Sequence, residues 1–471
     1  MDKFYEKASP LTKTIISIIR EMIDGTDFED KTYLVGGCVR DTLIGMEPRD
    51  YDIVVALPNG GGKLANYLTE KDGSRKINKN PIVYQGFGTA KFTLPNTKGV
   101  ESIEFESVHT RKERYTIGSR KPLSAYGTLK DDANRRDLTV NALYYNISNG
   151  GVWDFTDVQT CLNDLTNGIV KTIKEADVSF IEDPLRMLRT IRFASRFGWG
   201  IERSTWMGII KTASLVNELS DERIRDEITA MLLEEKPSDS MYRLLKCGLM
   251  WELIPDIADL DEQMECTHDK VTLFDHTMKV LDEVQPCIES RLAALYHDIG
   301  RLLAESNSRV KTINSFSSEF ARGDLKQMKY PKDVIESVSK AILHHGDFDI
   351  YADNVKPTDK KIRRFLANCG DDYGFALDLM SANNKMRSYS KKPHQVGIII
   401  KAIEQMSDSE DMKNPKIPIN GHDLMKEFNI KGGKHISVML NKVKNAFLDN
   451  PNITKDECFN IAREALQKIT V

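Results

Sequence analysis

The sequence has few cysteines and no excess of positive charge, and each absence excludes a class of protein. Its seven cysteines are scattered through 471 residues without a C-x-x-C pair, which argues against a structural zinc site and a disulfide framework. The formal net charge of −4 at pH 7 argues against a globally basic nucleic-acid-binding protein. Any RNA contact must therefore come from a local cluster of lysine and arginine.

Long apolar runs are also missing. No stretch approaches the roughly 20 residues that a membrane-spanning helix needs, and the first residues do not have the pattern of a signal peptide. We therefore expect a cytoplasmic protein that has no membrane partner. The length suggests about two to four domains, and we find no internal repeat and no low-complexity segment.

The most informative stretch, residues 34–55, contains two glycines followed by two aspartates. Gly36 and Gly37 end a short apolar run, and backbone N–H groups in such turns can bind phosphate. Asp50 and Asp52 open a second apolar run, and residues two apart on a strand face the same side. Two carboxylates at one point suit Mg²⁺, which proteins usually hold by one or two carboxylates together with substrate phosphates. The stretch therefore predicts a phosphate and magnesium site.

A second cluster of charged residues reads Arg-Arg-Asp-Leu-Thr-Val-Asn at positions 135–141. The forked guanidinium groups of Arg135 and Arg136 match phosphate oxygens in pairs. Asp137 can accept a hydrogen bond from a ribose hydroxyl, as the acidic residue of dinucleotide-binding folds does. The cluster thus suits a nucleotide, and a surface network of ion pairs is the alternative.

A third segment predicts a helix with one basic face. Asp183 and Pro184 mark its beginning and Gly198 its end. At about 100° per residue, the apolar residues lie on one face and a stripe of arginines lies on the other. The stripe consists of Arg186, Arg189, Arg192 and Arg196. It contains no acidic residue, so a phosphate or a base is the favoured partner.

In this order, the Gly-Gly-x-x-Arg-Asp, Asp-x-Asp, Arg-Arg-Asp and Glu-Asp-x-x-Arg segments resemble motifs of class II tRNA nucleotidyltransferases and bacterial poly(A) polymerases. These proteins belong to the DNA polymerase beta superfamily. The resemblance implies an α+β fold, in which a small mixed β-sheet head precedes all-helical neck, body and tail domains. We expect the head at 1–146, the neck with its nucleotide-templating helix at 147–260, an HD-like helical domain at 261–400, and an RNA-binding tail at 401–471.

The resemblance also implies a role for each motif. Asp50 and Asp52 become catalytic metal ligands, and either Glu104 or Glu106 becomes a third carboxylate, since the spacing does not decide between the two. The residues implied in nucleotide binding are Gly36, Gly37, Arg40, Arg135, Arg136, Asp137, Asn141, Asp183, Arg186, Arg189 and Arg192. Among them, the side chains of Asp183 and Arg186 would pair with the Watson–Crick edge of the incoming base and so replace a nucleic-acid template.

The implied activity is addition of CMP and AMP, from CTP and ATP, to a tRNA 3′ end by two-metal phosphoryl transfer with Mg²⁺. Expected partners are ATP, CTP and the acceptor end and elbow of tRNA, and no DNA is expected. A poly(A) polymerase, or an enzyme that adds only CC or only A, stays open because these proteins share the motifs. A metal phosphohydrolase that acts on RNA ends is the alternative from another class.

That last alternative arises because the second half of the chain resembles an HD phosphohydrolase domain. His276, His297 and Asp298 match the expected metal ligands, and imidazole and carboxylate both bind transition metals. The closing aspartate is replaced by Asn383, and the Gly-His that usually follows the His-Asp pair is missing. A neutral amide binds a divalent metal more weakly than a carboxylate, so we expect a degraded site with little or no hydrolytic activity.

Overall fold

The computed structural model describes most of the chain as two compact units. The described residues are 2–71, 81–84, 89–94, 103–114, 123–266, 271–302, 310–387, 392–406, 413 and 415–469. The units are Met1–Leu219 and Ser220–Val471, so they separate within the segment predicted as the neck. The α+β class predicted from the sequence is confirmed. The division into four domains stays a prediction.

The first unit contains eleven strands among its described residues. They are β1 (Thr32–Val35), β2 (Tyr51–Val55), β3 (Ile82–Tyr84), β4 (Thr89–Leu94), β5 (Ile103–His109), β6 (Arg111–Arg114), β7 (Leu123–Tyr126), β8 (Leu143–Asn146), β9 (Val152–Asp154), β10 (Ile169–Val170) and β11 (Gly200–Ile201). Among the described strands, seven form one mixed sheet in the order β3-β4-β5-β2-β1-β8-β9. Strand β2 pairs antiparallel with β1 and parallel with β5, so the strand that carries Asp52 lies in the middle of the sheet.

The first unit has nine α-helices among its described residues. They are α1 (Lys3–Lys7), α2 (Pro10–Ile23), α3 (Gly37–Leu43), α4 (Gly60–Lys71), α5 (Leu129–Asn134), α6 (Cys161–Asn167), α7 (Ala176–Glu182), α8 (Leu185–Phe197) and α9 (Arg203–Thr212). Side chains alternate along a strand, so the two faces have separate cores. Leu143 and Tyr145 of β8 join the larger core, whereas Tyr144 joins a smaller core with Ala133 of α5.

Helix α8 begins and ends where its sequence predicts. Pro184 occupies its N-terminal cap and fixes a φ of −59°, which suits the start of a helix. Gly198 follows its last residue with a φ of 65°, a left-handed conformation that glycine adopts at low cost. The predicted boundaries of the arginine-rich helix are therefore confirmed.

The second unit is helical apart from the short strands β12 (Met264–Cys266) and β13 (Val271–Thr272) among the residues described there. Its helices are α10 (Asp221–Leu232), α11 (Pro237–Lys246), α12 (Leu249–Leu253), α13 (Pro255–Asp259), α14 (Leu273–Glu283), α15 (Ile288–Tyr296), α16 (Val310–Gln327), α17 (Lys332–His344), α18 (Asp359–Cys369), α19 (Tyr373–Met386), α20 (Gln395–Glu404), α21 (Gly421–Phe428), α22 (Lys434–Asp449) and α23 (Lys455–Ile469). The last three helices share a hydrophobic core of their own. Within the described part of the chain, no helix combines the length and the apolar composition that crossing a membrane requires.

Candidate functional site

The Gly36–Gly37 turn connects β1 to α3 beside the predicted metal ligands. Gly36 has a φ of 74°, a backbone conformation that residues with a side chain rarely adopt. A Cβ atom added at Gly36 would lie 3.5 Å from Nη1 of Arg136 and 3.7 Å from Oδ2 of Asp52. The turn therefore brings a guanidinium group, a carboxylate and exposed backbone to one place.

Asp50 and Asp52 lie at the beginning of β2, and both are exposed. In the register of the sheet, Asp52 is opposite Val35 of β1 and opposite Glu106 of β5. This register puts Glu106, and not Glu104, at the position next to Asp52, although the side chains of both glutamates lie outside the described residues. Two exposed carboxylates in a position open to solvent fit the oxygen ligands that a divalent metal requires.

Arg40 of α3 lies behind this turn and is only 3% exposed. Its Nη1 donates a hydrogen bond to Oδ1 of Asn141 at 2.5 Å, and its Nε donates to Oδ1 of Asp41 at 2.7 Å. Its guanidinium carbon lies 4.8 Å and 4.9 Å from the ring centroids of Phe193 and Phe197 on α8. Arg40 therefore connects the glycine turn with the arginine-rich helix through its stacking and hydrogen bonds.

Asn141 continues the same network to Asp137. Its Nδ2 donates to Oδ1 of Asp137 at 3.2 Å, while Nε of Arg189 donates to Oδ2 of Asp137 at 2.6 Å. Burial opposes ionisation of Asp137, but the charge of Arg189 and these hydrogen bonds hold its pKa well below the usual range. Asp137 is therefore a carboxylate at neutral pH, as an acceptor for a ribose hydroxyl must be.

Arg186 does not lie on an exposed stripe, which corrects the prediction from the helical wheel. It is 5% exposed, and its Nη1 donates to Oγ of Ser179 at 3.0 Å and to Oε2 of Glu182 at 3.2 Å. Its Nη2 donates to the backbone carbonyl of Arg135 at 2.9 Å. The wheel was wrong here because α7 packs beside the first turn of α8 and encloses this side chain.

Asp183, the other residue expected to read the base, and Arg192, expected to bind the nucleotide, have contacts of their own. Oδ1 of Asp183 accepts a hydrogen bond from the backbone N–H of Leu185 at 3.2 Å, at the beginning of α8. The guanidinium carbon of Arg192 lies 4.4 Å from the ring centroid of Phe193. Phe193 and Phe197 escaped the sequence analysis, although two aromatic residues four apart among arginines are a readable signal for stacked guanidinium groups.

Two more residues of this site were not predicted. Asp132 of α5 and Tyr144 of β8 are both buried and both contact Arg136. Asp132 precedes the Arg-Arg-Asp segment by only three residues, so its position in the sequence could have suggested it. Tyr144 offered no such signal, because it comes close to Arg136 only when β8 has joined the sheet.

The residues predicted for the HD-like site also come together, in the second unit. Nε2 of His276 lies 3.1 Å from Oδ1 of Asn383, and Nε2 of His297 lies 3.5 Å from Oδ2 of Asp298. Candidate ligand atoms of the two histidines and Asp298 all lie within 4.8 Å of one another, which is compact enough for one metal ion. However, Nε of Arg301 lies 2.9 Å from Oδ1 of Asp298 and supplies a positive charge there.

The protonation of this cluster follows from its burial. Burial is the largest influence on His297 and lowers its pKa to about 3, so its imidazole is neutral at physiological pH. Burial also lowers the pKa of His345, whose ring centroid lies 5.7 Å from that of His297. Neutral imidazoles can bind a metal, but the Asn383 amide and the Arg301 guanidinium both reduce the negative charge that would hold it.

Comparison with protein families gives two matches, both within the first 260 residues. Residues 32–171 match the family described as "Poly A polymerase head domain". Residues 198–260 match "Probable RNA and SrmB- binding site of polymerase A". The first match spans the glycine turn, the aspartate pair and the Arg-Arg-Asp segment, so it contains most of the geometry described above.

Whole proteins with similar sequences are also known. The chain is 30% identical to the multifunctional CCA protein of Nitrosomonas europaea, over 74% of this chain and 85% of that protein. It is 25% identical to the mitochondrial CCA tRNA nucleotidyltransferase of Saccharomyces cerevisiae, over 97% of this chain and 94% of the yeast protein.

Solved structures show the same fold. A crystal structure of the Bacillus stearothermophilus CCA-adding enzyme in complex with CTP aligns over 98% of this chain and 99% of that one, with a TM-score of 0.66 and 18% identity. A CCA-adding enzyme in complex with ATP aligns over 99% of this chain and 98% of that one, with a TM-score of 0.61 and 20% identity.

Proposed function

Because the chain belongs to the family of CCA-adding tRNA nucleotidyltransferases, we propose that it adds CMP and AMP, from CTP and ATP, to the 3′ end of tRNA. The observation that carries the proposal is the meeting of three elements at the Gly36 turn. There, Asp52 and Arg136 both lie within 4 Å of the position that a Cβ of Gly36 would occupy. A metal ligand, a phosphate-binding guanidinium and a glycine turn in such proximity suit a nucleoside triphosphate and its metal.

Asp50 and Asp52 would hold the metal, and Mg²⁺ is the ion that we propose. When bound, Mg²⁺ neutralises phosphate charge and activates the attacking 3′ hydroxyl. The aspartates suit this role because they are exposed at the beginning of a central strand. Glu106 is our choice for the third carboxylate, because the strand register puts it opposite Asp52.

The other residues predicted for the site would bind and orient the nucleotide. We assign the triphosphate to the glycine turn together with Arg135 and Arg136, and the ribose to Asp137. Arg40 and Asn141 hold this part of the site in place, because each contacts another member of the set. Positioning of the reacting groups supplies much of the catalysis in phosphoryl transfer, so these contacts bear directly on rate.

Base selection is assigned to Asp183 and Arg186 at the beginning of α8. A carboxylate that accepts and a guanidinium that donates can pair with cytosine or adenine, and they leave guanine and uracil mismatched. Ser179 and Glu182 fix the direction of the Arg186 guanidinium through hydrogen bonds of 3.0 Å and 3.2 Å. A site with fixed polar groups rejects a mismatched partner strongly, because its own buried groups then lose their hydrogen bonds.

The test is incubation of the protein with a tRNA that lacks its 3′ CCA, with each nucleoside triphosphate singly and in pairs, followed by sequencing of the products. We expect two C residues from CTP alone and CCA from CTP with ATP. Long A tails from ATP alone would identify a poly(A) polymerase, and products that end at CC or gain only A would identify a partial enzyme. Loss of RNA-end phosphates without added nucleotide would favour the phosphohydrolase instead. The Asp52→Ala variant is the control for contaminating activity.

The location in the cell is also a proposal. We propose the cytoplasm because the cysteines are scattered without a pattern of pairs, which fits a reducing compartment. The Saccharomyces cerevisiae relative is described as mitochondrial, so the assignment needs a direct test. Fractionation of cells, with detection of the native protein by antibody, would decide between the two compartments.

A further inference from the structure

Asp132 of α5 is a fully buried carboxylate to which the nucleotide-binding residues converge. Its side chain has no exposed surface. Oδ1 accepts hydrogen bonds from Nε of Arg135 at 2.9 Å and from the backbone N–H of Arg111 at 3.1 Å. Oδ2 accepts from the hydroxyl of Tyr144 at 2.7 Å and from Nη2 of Arg136 at 3.2 Å. One carboxylate therefore accepts these four hydrogen bonds, two of them from arginines of the Arg-Arg-Asp segment, and Nη2 of Arg135 also lies 2.8 Å from Oδ1.

A buried carboxylate is costly unless it is paired and hydrogen-bonded. Burial alone would raise the pKa of Asp132, but the charges of Arg136 and Arg135 outweigh it and lower the pKa to about 2. Asp132 is thus negatively charged throughout the pH range in which RNA and nucleotides are stable. A hydrophobic residue would fill the same volume without this cost, so the charge requires an explanation beyond packing.

The geometry of Arg136 supplies that explanation. Its Nε donates to the hydroxyl of Tyr144 at 3.0 Å, and its Nη2 reaches Asp132. Its Nη1 faces the other way, 3.5 Å from the Cβ position of Gly36, beside Asp52. Nε and Nη2 of Arg136 are therefore held by the buried side chains of Tyr144 and Asp132, and Nη1 faces the predicted metal and triphosphate site.

We propose that Asp132, with Tyr144, is the positioning residue that fixes Arg135 and Arg136 in the direction needed to bind the triphosphate. This proposal rests on the proposed nucleotidyltransferase function. A free arginine side chain loses considerable rotamer entropy when it binds a ligand. A guanidinium that is already held by a buried carboxylate has lost that entropy on folding, so binding of the triphosphate is tighter.

The rival explanation is that Asp132 only stabilises the fold of α5 against the sheet. The two explanations differ in which kinetic constant changes. A positioning role predicts a higher KM for CTP and ATP with an unchanged KM for tRNA. A purely structural role predicts a lower fraction of active protein and unchanged KM values.

The first variant is Asp132→Asn, which keeps the shape but loses the charge and one acceptor. We expect the KM for CTP to rise roughly tenfold, the usual scale for losing a hydrogen bond to a charged group. Asp2→Asn is the matched control, because Oδ2 of Asp2 accepts from the hydroxyl of Tyr145 at the same 2.7 Å, on the other face of β8. Asp2 contacts no arginine of the site in the described structure, so the control should keep the wild-type KM.

A second measurement removes the dependence on turnover. Calorimetric binding of CTP and of CMP to the wild-type protein should show a large preference for the triphosphate, and Asp132→Asn should lose most of that preference. In an Arg136→Ala background, Asp132→Asn should have a smaller further effect, because the group that it positions is gone. The proposal would be overturned if Asp132→Asn preferred CTP over CMP by the same factor as the wild-type protein does.

Two outcomes of these experiments need further measurements. If Asp132→Asn does not fold, Tyr144→Phe removes only the bridging hydroxyl, and we expect a smaller rise in the KM for CTP; an unchanged value would overturn the proposal. If the wild-type protein adds no nucleotide to tRNA, the proposed function fails. The CTP and CMP titrations still decide the role of Asp132 in that case, because they require no catalysis.

Discussion

Arg189 donates a hydrogen bond from Nε to Oδ2 of Asp137 over 2.6 Å, and this ion pair joins α8 to the Arg-Arg-Asp segment. Both residues are expected to bind the nucleotide, so two parts of the site are fixed against each other before a nucleotide arrives. Ordering in advance lowers the entropic cost of binding. The contact also explains why Asp137 remains ionised although it is largely buried.

Replacement of either proposed metal ligand, Asp50 or Asp52, should abolish nucleotide addition. Asp50→Ala and Asp52→Ala each remove a carboxylate from the metal site, which costs several kcal/mol of charge stabilisation, or about a thousandfold or more in rate. Binding of tRNA should remain, since the segments expected to bind RNA are untouched. Addition kinetics and a tRNA gel shift measure the two effects. Asp27→Ala, an exposed carboxylate on a loop before β1, is the control and should behave as wild type. Near-normal turnover of either variant would refute the assignment.

Arg186→Ala should change which base is added. The variant lacks the donor group of the proposed base pair, so discrimination among CTP, ATP, GTP and UTP should fall by roughly ten- to a hundredfold. The measurement is kcat/KM for each nucleotide with the same tRNA. Arg203→Ala, at the exposed beginning of α9, is the control. A variant that is merely slow and still prefers CTP and ATP would show that Arg186 holds phosphate or braces the helix.

Gly36→Ala should weaken nucleotide binding and also destabilise the fold. At φ of 74°, a side chain costs about 1–2 kcal/mol in backbone strain. The new methyl group would also lie against Arg136 and Asp52. Gly25→Ala is the matched control, because Gly25 has a φ of 67° and no atom within 4 Å of its Cβ position. Both variants should lose stability in thermal unfolding, but only Gly36→Ala should raise the KM for CTP. Equal KM values in the two variants would contradict a phosphate role for the turn.

The HD-like cluster should be dispensable for nucleotide addition. His297→Ala should keep addition activity, provided that the variant melts near the wild-type temperature, and His297→Asn is the substitute if it does not. The wild-type protein should show little or no hydrolysis of a 2′,3′-cyclic phosphate, because Asn383 and Arg301 reduce the negative charge available to a metal. Robust hydrolysis with Mn²⁺ or Ni²⁺ that disappears in His297→Ala would show a working phosphohydrolase.

Stability should depend on Asp132 in a pH-dependent way. Its pKa is about 2 in the folded protein, below the ordinary value of 3.8, so its charge stabilises the fold above about pH 4 and this contribution is lost as the pH falls through 2. The stability difference between wild type and Asp132→Asn should therefore be about 1 kcal/mol smaller at pH 3 than at pH 7. Urea unfolding at both pH values measures it. An equal difference at the two pH values would mean that the arginines do not hold the carboxylate.

The sequence predicted the elements that depend on local signals. Pro184 and Gly198 act within one turn of α8, so its boundaries could be read directly. The aspartate pair and the glycine turn were likewise visible, because alternation along a strand and a Gly-Gly step are properties of neighbours in the chain. These local signals identified the glycine turn and the aspartate pair in the sequence, whereas the α+β class was implied by the family resemblance.

Contacts between distant segments could not be read in the same way. A helical wheel gives the direction of Arg186 from the axis of α8 but not the presence of α7, which buries that side chain. Tyr144 meets Asp132 only through the pairing of β8 with β1, which no local pattern reveals. The division between the compact units at Leu219 also lacks a local mark such as a glycine- or proline-rich linker.

The hydrogen bond from Arg186 to the backbone carbonyl of Arg135 connects the residue proposed to select the base with the segment proposed to bind the triphosphate. A substitution of Arg186 would therefore remove a contact with the main chain that carries Arg135 and Arg136, as well as the proposed contact with the base. Under the proposed roles, base selection and triphosphate binding would both change when Arg186 is replaced. Glu182 accepts from Nη1 of Arg186, whereas the carbonyl of Arg135 accepts from Nη2, so a substitution of Glu182 would remove only the first of these contacts.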